Sequence, residues 1–139
     1  MRTGAWGPRT AAVLAGAVLI GAVVAGCGPV PDAVRVEIRI HYSHFDPSQV
    51  SVPHGVPVTF VLISEDPIEH EWLIGDAAFH ERHRTGTEAH HGARPNEVSI
   101  PPLVTVETTL SFDTPGTEQY ICHMPGHEAY GMVGTLTVT

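Results

Sequence analysis

The chain has 139 residues, with seven arginines, no lysine, fifteen acidic residues and a formal net charge of −8. That length holds one domain with a modest core, and the acidic balance excludes the basic surface that a nucleic-acid binder needs. It suits instead a soluble domain that meets small ions or basic patches on partners.

At the N-terminus, Arg2 and Arg9 precede an apolar run over residues 11–25. The run is shorter than the roughly 20 residues of a membrane-spanning helix, and it reads as a secretory signal over 1–26. Val24-Ala25-Gly26-Cys27 resembles the lipobox of bacterial lipoproteins, in which the cysteine becomes the lipid-modified first residue. Gly28, Pro29 and Pro31 fit a tether over 27–33. The resemblance implies a lipid anchor at Cys27 and a place on the extracytoplasmic face of the cell membrane. Removal of residues 1–26 takes away two arginines and no acid, leaving five arginines against fifteen acids, or −10.

Cys27 and Cys122 are the two cysteines of the chain. A lipidated Cys27 leaves Cys122 without a disulfide partner in an oxidising compartment. A lone exported thiol persists when it is buried or bound to metal.

From Val34 the pattern has period two. Val34, Val36, Ile38 and Ile40 share one face, opposite Arg35, Glu37 and Arg39, as in a half-buried strand. Further strands are expected over 49–52, 56–63, 70–74, 97–100, 104–112, 118–122 and 133–139. Asp46-Pro47, Pro53-His54-Gly55, Asp66-Pro67, Pro101-Pro102 and Thr114-Pro115-Gly116 separate them. Seven or eight short strands predict an all-β, antiparallel sandwich spanning 34–139. Residues 76–96 interrupt it with a polar, histidine-rich excursion that opens in one or two helical turns. It carries His80, His83, His90 and His91. His80 and His83 share one side of a helical turn, which makes these four histidines candidates for a secondary copper or zinc site. The alternative is a solvated polar loop.

The chemistry concentrates in Cys122-His123-Met124-Pro125-Gly126-His127-Glu128-Ala129-Tyr130-Gly131-Met132. Cys122, His127 and Met132 offer a thiolate, an imidazole and a thioether, the ligands copper prefers. A type 1 (blue) copper site combines a thiolate and two imidazoles with a weak axial ligand. His70 is the candidate for the second imidazole, because it alternates with Trp72 and Ile74 onto one face of a strand. His41, His44 and His54 have no such inward setting. His123 is expected to point outward into solvent, and Met124 to face solvent or a partner.

Cys122-x4-His127-x4-Met132, with Pro125-Gly126 inside and Gly131 before the methionine, resembles the C-terminal copper loop of cupredoxins. Pro67-Ile68-Glu69-His70-Glu71-Trp72 is similar to the upstream ligand strand of plastocyanin- and rusticyanin-like members. The resemblance implies a Greek-key sandwich with one copper ion at its end, and an exposed imidazole edge on His127 as the route for electrons. The expected function is a membrane-anchored one-electron carrier between redox proteins, with no catalytic residue and no enzymatic activity. The alternative is a copper-binding protein that buffers copper or delivers it to an accepting protein. A copper oxidase or nitrite reductase needs further copper centres, and the chain has no His-x-His pair to hold them.

Overall fold

A computed structural model describes residues 34–86 and 94–139, with Met1, Thr3 and Gly4. The signal segment, Cys27, the tether, His90 and His91 lie outside the described residues. The chain divides after Val30, and the fold belongs to the unit Pro31–Thr139. In chain order it comprises β1 (Val34–His41), β2 (His44–Asp46), β3 (Gln49–Val52), β4 (Pro57–Ser64) and β5 (His70–Gly75). Then follow α1 (Ala77–Thr85), β6 (Glu97–Ile100), β7 (Thr105–Ser111), β8 (Gly116–Ile121) and β9 (Val133–Val138).

The strands form two sheets, ordered β2-β1-β4-β7 and β3-β9-β8-β5-β6. The sandwich is as expected, but it is mixed rather than antiparallel. β1 runs parallel to β4, with Val36 beside Phe60 and Ile38 beside Leu62. β3 runs parallel to β9. After the β1–β2 hairpin the chain leaves the first sheet to form β3 at the edge of the second, then re-enters the first sheet as β4. It therefore returns beside β1 in the same direction. Alternation reveals which residues face inward but not the direction of a neighbouring strand. Three-residue β2 is too short to show alternation at all.

The core lies between the sheets. Ile38, Ile40, Phe60 and Leu62 from the first are fully buried, as are Trp72, Tyr120 and Leu136 from the second. The Phe60 and Trp72 rings lie 4.8 Å apart, and Tyr120 presents an edge to Phe45 at 5.2 Å. The Tyr120 hydroxyl donates to the Pro47 carbonyl at 2.8 Å, which satisfies the one polar atom of this ring. The Cε2, Cζ and hydroxyl end of the ring lies against Gly134 on β9, where an added Cβ would collide with it.

The excursion does open in a helix. Asp76 caps α1 by accepting from the Phe79 amide at 2.7 Å, one of the donors a helix start leaves free. Phe79 and His80 are its buried residues, so α1 packs on the sandwich through that side.

Because Tyr120 is pinned by its hydroxyl and its ring neighbours, Gly134→Ala is expected to lower stability by about 1–3 kcal/mol, the usual cost of overpacking. Urea denaturation measures it; wild-type stability would mean the ring moves freely.

Candidate metal centre

His70 opens β5, and Cys122 follows the last residue of β8, its antiparallel neighbour, with Leu73 opposite Ile121. This register brings the two side chains to one end of the second sheet. His70 and Cys122 are completely buried, and His127 is half-buried. The donor atoms of His70, Cys122 and His127 lie within 4.8 Å of one another. His127 Nδ1 is 3.3 Å from Cys122 Sγ and 3.3 Å from His70 Nδ1.

The loop owes its shape to its glycines and backbone bonds. Gly126 and Gly131 have φ of +87° and +95°, a left-handed conformation that glycine adopts without cost. The His127 amide donates to Met124 O at 3.0 Å, and the Met132 amide donates to His127 O at 3.0 Å. The Cys122 amide donates to Met132 O at 3.2 Å, closing the loop where β8 ends and β9 begins. Met132 is thereby returned to the Cys122 end of the core and fully buried.

Each ligand candidate has an outer support. His70 Nε2 donates to Asp66 Oδ2 at 3.0 Å, so its Nδ1 carries the lone pair that faces His127. Asp66 also accepts from the Tyr42 and Ser43 amides, each at 2.8 Å. Burial alone would raise the Asp66 carboxyl, but the Ser43 and Tyr42 amides and His70 outweigh it and hold it below the usual carboxylate range. Burial also depresses His70, against the opposing pull of Asp66, which keeps the ring neutral. The Glu71 amide donates to Cys122 Sγ at 3.3 Å. Burial pushes the Cys122 thiol up to about 11, although the Glu71 and Met124 amides pull the other way. Without metal the sulfur is thus a buried neutral thiol, protected from oxidation. Asp66 had no sequence signal beyond its place in the Asp66-Pro67 turn.

A soft sulfur and two imidazole nitrogens, all within 4.8 Å of one another and with His127 Nδ1 3.3 Å from each of the other two donors, are close enough to share one ion. The donor set suits copper. His70, Cys122 and His127 would hold it, with the buried Met132 as a candidate fourth ligand.

The other histidines divide. His41, His44 and His54 are exposed. His123 departs from expectation: its side chain is only 7% exposed and lies 3.2 Å from Glu128. His80 Nδ1 lies 2.9 Å from His123 Nε2. The His83 ring stacks parallel to that of His123, at 6.0 Å and 9°. Helix α1 packs over the copper loop, which removes His123 from solvent. Met124 is half-buried against the core rather than solvated. Arg84 donates to both carboxylate oxygens of Glu128, tying α1 to the loop.

The sequence profile of the copper binding proteins of the plastocyanin/azurin family matches residues 33–139. The chain belongs to this family. It is similar to the copper-resistant cuproprotein CopI of Pseudomonas aeruginosa, 30% identical over 74% of this chain and 75% of that protein. The CopI of Rubrivivax gelatinosus is 33% identical over 68% of this chain. There the match spans 59% of the relative's length. Among solved structures, the fold is similar to auracyanin A, a "blue" copper protein from the photosynthetic bacterium Chloroflexus aurantiacus. The TM-score is 0.61, with 26% identity, over 77% of this chain and 99% of that one. The fold is thus that of a cupredoxin, and its His-Cys-His cluster fits a type 1 copper ion.

Two outcomes follow from the supports. Copper must displace the Cys122 proton while His70 is already neutral, so apparent Cu(I) affinity should rise roughly tenfold per unit between about pH 7 and 9. Competition with a chromophoric chelator measures this, and a flat profile would mean the thiol is already ionised. Asp66→Ala strands the three N–H groups it accepts from and is expected to cost about 2–5 kcal/mol by chemical denaturation. An unchanged midpoint would show that water replaces the carboxylate.

Proposed function

We propose that this cupredoxin works outside the cytoplasm, anchored to the membrane through Cys27, and exchanges single electrons through a type 1 copper ion in the service of copper resistance. The observation that carries the redox reading is the buried, pre-formed cluster of Cys122, His70 and His127. Copper bound there supplies exchange of one electron between Cu(I) and Cu(II). The protein's part is to keep the donors still. Asp66 holds His70, the Glu71 amide holds Cys122, and the loop's backbone bonds hold His127 and Met132. Donors that do not rearrange leave little nuclear motion to accompany the electron.

His127 is the half-buried member of the set, so its outer edge is the route by which a donor or acceptor protein reaches the site. The partner is a redox protein whose docking face complements an acidic domain. The link to copper resistance is supported by the name of its CopI relatives. The anchored, extracytoplasmic placement rests on the signal and lipobox pattern of residues 1–27. The protein makes and breaks no covalent bonds of a substrate.

A second reading, copper buffering or delivery to an accepting protein, is favoured by one observation: the His80–His123 pair packed on the copper loop. Metal retention separates the readings. An electron carrier keeps its copper through repeated reduction and reoxidation in the presence of an apo acceptor, whereas a delivery protein loses it.

The copper-loaded protein is expected to be intensely blue from Cu(II)–thiolate charge transfer, and Cys122→Ser to abolish the colour. Met132→Leu, which conserves volume, should keep the colour and raise the reduction potential, because loss of the thioether removes a donor to Cu(II). A colourless wild-type protein with a tetragonal copper spectrum would overturn the type 1 assignment. For the biological role, a strain lacking the protein should grow less well in excess copper, and equal growth would contradict it.

A further inference from the structure

The type 1 cluster uses neither His80 nor His123, yet both rings are built as ligands are. The His80 residue is fully buried, and its Nε2 lies 3.0 Å from the Gln119 carbonyl oxygen. His123 Nδ1 lies 3.2 Å from the Glu128 carboxylate. A carbonyl and an ionised carboxylate only accept hydrogen bonds, so each ring's outer nitrogen carries its proton. The inner nitrogens, His80 Nδ1 and His123 Nε2, then face each other at 2.9 Å, each with a lone pair. Two lone pairs at that separation repel unless a cation joins them. Metal-bound histidines almost always have the outer N–H fixed by a carboxylate or carbonyl, and Asp66 fixes His70 in the same manner.

We propose that His80 Nδ1 and His123 Nε2 hold a second metal ion beside the type 1 site, with Cu(II) the ion of choice. Neutral imidazoles suit borderline divalent ions, and Cu(II) binds nitrogen sites most tightly among them. The local charge favours a cation, because Arg84 is matched by both Glu128 and Glu81. A cavity lies on the His123 side of the pair, lined by His123, His83, Arg84, Met124 and Glu128 among others. The pair differs from the grouping suggested by sequence, since the partner of His80 is His123 of the copper loop. His123 directly follows Cys122, so one peptide unit links the two sites. This gives incoming copper a holding position next to the thiolate. The inference bears on copper handling but does not rest on it, because the blue colour reports the first site separately.

The test is titration of the full chain with Cu(II) after one equivalent has developed the full blue band. The expected result is a second bound copper with a tetragonal paramagnetic-resonance spectrum and pulsed-resonance couplings from the outer nitrogens of two imidazoles. His80→Ala and His123→Ala should each keep the blue band while weakening the second equivalent at least tenfold. Saturation of the wild type at one copper, with a shared proton as the only cation between the rings, overturns the proposal. So does a second copper that binds His80→Ala as tightly as wild type. Should a substitution disturb the blue band as well, the wild-type pulsed spectrum still decides: absence of two imidazole couplings overturns the site.

Discussion

The carboxylate of Asp66 joins the two sheets at the point where the metal centre is built. It accepts from His70 in the second sheet and from the Tyr42 and Ser43 amides in the β1–β2 turn of the first. That turn has two residues, between His41 and His44, and both have positive φ, 51° and 55°. Such mirror-type turns usually call for glycine or asparagine, and left-handed tyrosine or serine costs on the order of 1–3 kcal/mol. Hydrogen bonds to a charged group contribute about 1.5–3 kcal/mol each, enough to offset that strain. The same carboxylate thus fixes the hairpin, the His70 tautomer and the orientation of the ring. An uncharged acceptor in its place would hold all three less firmly.

Burial does the complementary work at Cys122. A sulfur at the end of β8, covered on all sides, keeps its proton at neutral pH and stays out of reach of oxidants. The neighbouring amides aim at the place where negative charge forms once the proton leaves. A thiol shielded in the empty site and ready to become a thiolate when metal arrives is how Cys122 would survive in the oxidising compartment proposed for this protein. The half-buried His127 leaves the centre connected to its surroundings through one imidazole.

Much of this was legible in the sequence because it is local. The spacing of Cys122, His127 and Met132 is a property of one loop, and inward alternation of His70 with Trp72 and Ile74 needs only the period of a strand. The strands were readable for the same reason. What stayed hidden depends on the packing of distant segments. Nothing in Asp66-Pro67 shows that its carboxylate will meet a turn 23 residues earlier. The parallel pairing of β1 with β4 follows from where β3 goes, not from the pattern of either strand. His123 looked solvated because the helix that covers it comes from 40 residues upstream, and its contact with His80 exists only once α1 has docked.

The proposed function requires that the fold hold the Cys122 sulfur and the imidazoles of His70 and His127 in one arrangement in both oxidation states of copper. X-ray absorption at the copper edge, recorded on the same sample in the oxidised and the reduced state, tests that claim most directly. The account predicts one short sulfur and two imidazole nitrogens around copper in both states, with bond lengths nearly unchanged. A shell without sulfur, or one that loses a ligand on reduction, would contradict it.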